Sequence, residues 1–255
     1  CPTRRRSWGR ADSELPLIVA LHPWGGSPRG TLRQVQRALP EGLAARLVAP
    51  RGPLREGRGR AWIGAFAADP DDALSAALAP AAAGVAAFIG ALRERVPTAG
   101  RPIVVGISQG GLVALALAAR DPHAVGAVFV LGATLPRGLW PRATPMDPPR
   151  VWGWHGARDR YVPLRRTEVA FAAFRRRGYG AELEVDERRG HRFDGPARGA
   201  LRAALARFVD ASVREGGAAG RAPRRGRGPR DALGRAGGRG GRPREGRASG
   251  SGASR

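Results

Sequence analysis

One segment near the middle of the chain constrains the fold more than any other. Residues 102–107 form an apolar run typical of a buried strand, and residues 110–119 are apolar enough to form a buried helix. Between them lies Gly106-Ile-Ser-Gln-Gly110, a G-x-S-x-G pattern. A strand, tight turn and helix in this order hold the serine in a strained turn with its hydroxyl exposed, and a Cβ at either flanking glycine would clash with backbone. The pattern therefore predicts that Ser108 is a nucleophile.

The rest of the chain alternates between strand and helix patterns. The other predicted strands are residues 15–21, 47–49, 125–131, 151–155 and 183–185. The other predicted helices are residues 31–39, a short helix from residue 69, a longer one over 80–96 after Pro80 interrupts, 163–177 and 196–213, while residues 50–60 are predicted to be a loop. Alternating strands and helices imply right-handed crossovers. The sequence therefore predicts an α/β fold, with a mostly parallel sheet of about six strands and helices on both faces.

A serine hydroxyl is a weak nucleophile that needs a base and a group that orients the base. Asp159 follows a predicted strand, at the edge of a parallel sheet where functional groups collect. His191 lies in a Gly-His loop between the last predicted strand and the last helix. The chain order Ser108, Asp159, His191 predicts nucleophile, orienting acid and general base in the order known for such sites.

Other assignments of the acid and the base remain open at this point. Asp159 could instead cap the following helix or pair with a neighbouring arginine. His22, His123 and His155 are the other candidate bases. We expect His123 to be exposed at a helix end and His155 to brace the loop of the acid, while His22 belongs to a separate motif.

A glycine-rich loop follows the first predicted strand, in Leu21-His-Pro-Trp-Gly-Gly-Ser-Pro28. Acyl transfer requires preset donors for the oxyanion of a tetrahedral intermediate. The backbone amide of Gln109, just after the serine, is one expected donor, and the second should come from this early loop. Because Pro23 has no N–H, we predict that the second donor is the amide of Trp24.

These segments together resemble the phospholipase/carboxylesterase family of α/β-hydrolases, which includes the acyl-protein thioesterases. The similar motifs are LHPWGG, GISQGG, HGARDRYVP and the Gly-His before the last helix. The resemblance covers residues 15–213 and implies the α/β-hydrolase fold, with an acyl-serine intermediate, a small-molecule ester or thioester substrate, and no metal or organic cofactor. The early motif usually has His-Gly where this chain has His22-Pro23, so we expect a stiffer loop.

Two alternatives to an esterase remain open. A peptidase or an acyltransferase would use the same fold and the same residues. A non-catalytic basic protein would instead use the arginine-rich end of the chain for binding. All 44 basic residues are arginine and the formal net charge is +23. This charge is uneven, with +3 over residues 1–12, +8 over 215–255 and +12 over the rest of the chain. The arginine bias resembles that of a GC-rich coding sequence.

The composition predicts three regions: a basic segment over 1–14, a hydrolase domain over 15–214 and a disordered tail over 215–255. The tail has thirteen Gly and eleven Arg, and Leu233 is its only large apolar residue. It has no aromatic side chain to stack on bases, so we do not expect it to bind nucleic acid. The oligomeric state stays open.

The single cysteine, Cys1, excludes an internal disulfide and a cysteine-based metal site. We expect a cytoplasmic protein on this ground, with an exported or lipid-anchored protein, modified at Cys1, as the alternative. No run of eighteen apolar residues is present, which predicts that no helix spans a membrane.

Overall fold

The computed structural model describes residues 14–64 and 71–219. The strands are β1 (Leu17–Leu21), β2 (Arg46–Val48), β3 (Leu54–Glu56), β4 (Gly59–Ala61), β5 (Ile103–Ile107), β6 (Ala127–Leu131), β7 (Arg150–Gly156) and β8 (Ala181–Asp186). The helices are α1 (Pro28–Gln36), α2 (Asp71–Arg93), α3 (Gln109–Arg120), α4 (Leu164–Arg176) and α5 (Gly195–Ala219), with a short 3-10 helix over Arg137–Leu139.

Six of the strands form one parallel sheet in the order β2-β1-β5-β6-β7-β8. Residues of β1 and β5 alternate between the two faces and are buried on both, which explains their continuous apolar sequences. Helices α2, α3 and α4 cover one face, and α1 and α5 cover the other. The predicted α/β architecture, with a parallel sheet of about six strands between two helical layers, is confirmed.

The register of the sheet determines where the loops meet. Leu21 pairs with Gly106 across β1 and β5, and Ile107 pairs with Leu131 across β5 and β6. The carboxyl ends of these strands are therefore level, and the residues that follow them lie along one edge of the sheet. This edge carries the early glycine-rich loop, Ser108 and the loop that contains Asp159.

The predicted loop over residues 50–60 is wrong in part, because it contains the β3–β4 hairpin. Gly57 takes a left-handed φ of 52° at the turn. The hairpin has no apolar alternation, and it is held instead by Arg60, whose Nε and Nη2 donate to the carbonyls of Gly52 and Pro53, each at 2.9 Å. The backbone N–H of Arg60 donates to Gly26 O at 2.9 Å, which attaches the hairpin to the early loop.

The helix α1 begins three residues earlier than predicted. Ser27 is its N-cap, with Oγ accepting the N–H of Gly30 at 3.1 Å, and Pro28 occupies the first turn. The helices predicted over 110–119 and 163–177 are present with a change of one residue at each end. The helix predicted over 196–213 begins one residue earlier and extends to Ala219. The tail boundary at residue 215 stays a prediction: α5 continues to Ala219, and the predicted segments over 1–13 and 220–255 lie outside the described residues.

Helix α2 corrects the predicted interruption at Pro80. It runs unbroken through Pro80, where two helices were expected, because both of its halves bury one face in the core through Leu74, Leu78, Ala82, Val85 and Ile89. By length and composition, α2 is also apolar enough to cross a membrane, so the count of consecutive apolar residues did not exclude such a helix. In this structure its inner face packs in the core of the hydrolase fold.

The interior position of Pro80 gives a stability prediction. Pro80→Ala restores the N–H that bonds to the carbonyl of Ala76 and removes the ring from an exposed position, so the free energy of unfolding should rise by about 1 kcal/mol or more. Urea denaturation measures this change. Pro196→Ala is the matched control, since Pro196 is exposed in the first turn of α5, where its missing N–H has no intrahelical acceptor. A fall in stability for Pro80→Ala would contradict the argument.

Candidate active site

Ser108 lies at the sharp turn between β5 and α3 with φ 51° and ψ −117°. Among the described residues it is the one non-glycine residue with positive φ. Such a conformation is strained for an L-residue and persists only where the surroundings enforce it. The surroundings here include β6, since the N–H of Ser108 donates to Leu131 O at 2.8 Å.

The glycines of the turn are required by close backbone contacts. A Cβ on Gly106 would collide with the carbonyl group of Gly110, and a Cβ on Gly110 would collide with the carbonyl group of Leu21. A Cβ on Gly111 would lie 2.5 Å from the Cβ of Ala133. The steric reason inferred from the sequence for the glycines on either side of Ser108 is therefore present in the structure.

Ser108, Asp159 and His191 form a continuous hydrogen-bonded series. The Nε2 atom of His191 lies 2.8 Å from Ser108 Oγ, and its Nδ1 atom lies 2.6 Å from Asp159 Oδ2. Because a carboxylate only accepts, Nδ1 carries the proton of the neutral ring and Nε2 is free to accept from the serine hydroxyl. Ser108 lies 83 positions and Asp159 lies 32 positions before His191 along the chain. The three residues meet at the edge of the sheet.

Asp159 is held in its loop after β7 by backbone donors. Its Oδ1 atom accepts the N–H groups of Tyr161 and Val162, both at 2.9 Å, and its side chain has no exposed surface. Burial alone raises the pKa of Asp159, but the hydrogen bonds from His191, Val162 and Tyr161 outweigh it and hold the pKa below its ordinary value. The group is therefore an ionised carboxylate at neutral pH.

The other three histidines do not lie within hydrogen-bond distance of Ser108. His123 is exposed beyond the end of α3, as expected. His155 is buried, with Nε2 2.8 Å from Val162 O and 3.5 Å from Asp159 Oδ2, so it contacts the loop of the acid. His22 is also buried, with Nε2 accepting the N–H of Gly52 at 3.0 Å.

The early loop forms a turn over Pro23–Gly26, closed by a bond of 2.9 Å from Gly26 N to Pro23 O. Gly25 supplies the positive φ of 67° at the third position of this turn. Trp24 occupies the second position and lines the same pocket as Ser108. Gln109 is the first residue of α3, where an N–H has no intrahelical acceptor.

A pocket of about 520 Å³ opens at Ser108 and His191. Most of its wall is apolar and includes the aromatic side chains of Trp24, Trp154, Tyr161 and Phe193. Trp24 and Tyr161 remain exposed at its surface. A pocket of this size and lining is suited to an apolar acyl group.

Gly132 is a site residue that the sequence analysis missed. It follows β6 directly with φ 60°, and a Cβ there would lie 3.0 Å from both Cε1 and Nδ1 of His191. Glycine at this position therefore leaves the space that the imidazole occupies. A glycine after a buried strand was the available signal, but nothing local in the sequence connects it with His191.

The phospholipase/carboxylesterase family model matches residues 10–196, which is most of the chain and includes all three residues of the series. The chain belongs to this family. It is therefore an enzyme of the esterase and phospholipase type. The resemblance inferred from the sequence motifs is confirmed.

Several solved structures have the same fold as this chain. Esterase PE8 is 24% identical, with a TM-score of 0.67, and the match covers 78% of this chain and 94% of that esterase. A carboxylesterase from Mesorhizobium loti is 21% identical, with a TM-score of 0.65 and coverages of 76% and 90%. SOBER1 from Arabidopsis thaliana is 20% identical, with a TM-score of 0.62 and coverages of 76% and 99%. At these identities they establish the fold. No curated protein matches the chain.

Two other tryptophans, Trp62 and Trp140, do not line the pocket at Ser108. Trp62 is 5% exposed, and its indole N–H donates to His22 O at 2.8 Å. Trp140 packs beside the 3-10 helix, where its indole N–H donates to Leu135 O at 3.0 Å.

The buried histidines predict how stability varies with pH. Burial lowers the pKa of both His22 and His155 below the ordinary 6.5, so the folded chain binds protons on these rings less readily than the unfolded chain. Stability should be complete above pH 6.5 and decline as the pH falls below it, by up to about 1.4 kcal/mol per pH unit for each ring. Urea denaturation between pH 8 and pH 5 (roughly three units, spanning the histidine range) measures this decline.

His155→Gln tests the assignment of this decline to a particular ring. The variant should be less stable than the wild type at high pH and lose less stability on acidification, because one ring that resists protonation is absent. His123→Gln removes an exposed histidine and should leave the pH dependence unchanged. An undiminished decline in His155→Gln would show that its ring does not contribute.

Proposed function

We propose that this chain is a serine hydrolase that cleaves carboxylic esters or thioesters through an acyl-serine intermediate. The observation that carries the proposal is the series of short contacts from Asp159 through His191 to Ser108, at the mouth of an apolar pocket. The geometry gives the base an unprotonated nitrogen that faces the serine hydroxyl. Family membership supports an esterase, and these contacts support the serine mechanism.

In the proposed cycle, Ser108 Oγ attacks the acyl carbon while Nε2 of His191 takes its proton. The amides of Trp24 and Gln109 stabilise the resulting oxyanion, and the positive end of α3 adds to this field. The imidazolium then donates its proton to the leaving alcohol or thiol. A water molecule, deprotonated by the same ring, attacks the acyl-serine and releases the acid.

Asp159 keeps the imidazole in the required tautomer and stabilises it when it becomes positive. Its own proton-free state is maintained by the two backbone donors and by His191. We propose an apolar acyl group as the part of the substrate that enters the pocket, because the wall near Ser108 is largely aliphatic and aromatic. Comparing 4-nitrophenyl esters of increasing chain length with the corresponding acyl thioesters distinguishes the preferred acyl and leaving groups.

Removing the nucleophile tests the mechanism directly. Ser108→Ala should lower the hydrolysis of a short 4-nitrophenyl ester by at least about a thousandfold and abolish covalent labelling by a fluorophosphonate. Ser75→Ala is the control, because Ser75 is a serine of α2 whose hydroxyl bonds within its own helix, to Asp71 O. Retention of most of the activity in Ser108→Ala would refute the assignment.

Gly132→Ala tests the position of the base without changing any polar group. The added Cβ should displace the ring of His191 by a few tenths of an ångström and lower kcat/KM for ester hydrolysis by about tenfold. Gly100→Ala is the matched control, since Gly100 has a similar φ of 65° but open space around its Cβ position. Both variants carry the same backbone strain, so equal activities would show that contact with the ring is unimportant.

A further inference from the structure

We infer that the buried side chains of Gln109, Trp62 and His22 act as one positioning unit, which fixes the two amides of the oxyanion hole relative to each other. The inference rests on the proposed function, because the amides of Trp24 and Gln109 are the donors proposed there. It concerns side chains, whereas the proposed donors are backbone groups. The unit joins the loop after β1, the segment after β4 and the start of α3.

The side chain of Gln109 uses both ends of its amide. It is fully buried, with Oε1 accepting the N–H of Trp62 at 2.7 Å. Its Nε2 donates to Ile63 O at 3.0 Å and to Gly64 O at 3.4 Å. A glutamine amide has one oxygen that accepts hydrogen bonds and one NH₂ group that donates them. One N–H and two carbonyls around the side chain of Gln109 therefore match it. The segment over 62–64 is thereby tied to the residue that follows the nucleophile.

Trp62 continues the connection toward the early loop. Its indole N–H donates to His22 O at 2.8 Å, and its ring stacks on the imidazole of His22 at a centroid distance of 4.8 Å. Both contacts are buried, where hydrogen bonds are electrostatically stronger than in water. The backbone at the end of β1 is therefore held against the same segment that Gln109 holds.

His22 ties this backbone to the turn that contains Trp24. Its Nε2 accepts the N–H of Gly52, so its Nδ1 carries the proton and donates to Pro23 O at 2.9 Å. The same carbonyl closes the turn by accepting the N–H of Gly26. A neutral ring is required for this pattern, which agrees with the lowered pKa that burial gives His22.

The connection matters because oxyanion donors work only at short range. A donor must lie about 2.7–3.1 Å from the developing oxyanion, and displacement by about 1 Å is enough to lower the rate by about a hundredfold. A backbone N–H can come from almost any residue, but only glutamine at position 109 makes all three bonds to the 62–64 segment. The unit thus explains why position 109 has a glutamine side chain, although the proposed chemical role of this residue uses only its backbone amide.

Trp62→Phe tests the unit by removing one N–H while keeping an aromatic ring against His22. Trp140→Phe is the matched control, because it also removes a bond from an indole N–H to a backbone carbonyl, outside the site. We expect Trp62→Phe to lower kcat for a short 4-nitrophenyl ester about tenfold with KM changed less than about twofold. Its affinity for a trifluoromethyl ketone, which forms an oxyanion on the serine, should fall in parallel.

Gln109→Met provides a second variant, which keeps the backbone amide and removes all three side-chain bonds. Its loss of kcat should exceed that of Trp62→Phe, with both variants shown to be folded by urea denaturation. If Trp62→Phe and Trp140→Phe have the same kcat and the same affinity for the ketone, the inference is overturned. A wild-type chain that neither hydrolyses esters nor reacts with fluorophosphonate would instead overturn the proposed function, and this inference with it.

Discussion

The left-handed backbone of Ser108 is the constraint on which the site depends. A residue with a Cβ adopts this conformation only when its neighbours leave no alternative, and here α3 approaches β5 and β1 so closely that Gly106 and Gly110 have no room for side chains. The hydrogen bond from Ser108 to β6 adds a third restraint. Packing of the core thus stabilises a conformation that keeps the hydroxyl of Ser108 clear of the sheet, at the start of α3.

The surroundings of the buried ionisable groups near this turn determine their charge states. His22 and His155 are both kept neutral by burial, while Asp159 is kept charged by backbone donors and His191. A second positive charge beside Asp159 would compete with His191 for the carboxylate. Because the ring of His155 is neutral, it does not compete for Asp159 in this way. His191 is the histidine that contacts both the acid and the serine.

Much of the fold and the turn at Ser108 could be predicted because the determining patterns are local. Asp159 and His191 were predicted from their positions after strands and from their order along the chain. The turn at Ser108 requires glycines within two positions, and the parallel strands are apolar throughout, so a short window of sequence contains the signal. The early loop also has a local pattern, because Pro23 lacks an N–H and Trp24 follows it, and the role of the Trp24 amide stays a prediction. Periodicity also predicted the two layers of helices.

The rest depends on contacts between residues far apart in the chain. Gly132 matters because of a ring from a loop 59 positions later, and the side chain of Gln109 matters because of a segment 45–47 positions earlier. The β3–β4 hairpin is stabilised by an arginine bonding to backbone carbonyls rather than by apolar alternation. A proline such as Pro80 predicts the end of a helix, yet tertiary packing of the two halves of α2 overrides the lost hydrogen bond.

The order of the strands has a consequence for how the three-residue series is held together. Ser108 follows a central strand, whereas His191 follows β8, which forms one edge of the sheet. The position of the imidazole therefore depends on the pairing of β8 with β7, and detaching this one edge strand would leave the turn at Ser108 without its imidazole. The hydroxyl is fixed from the interior of the sheet, while its partner is fixed from the border.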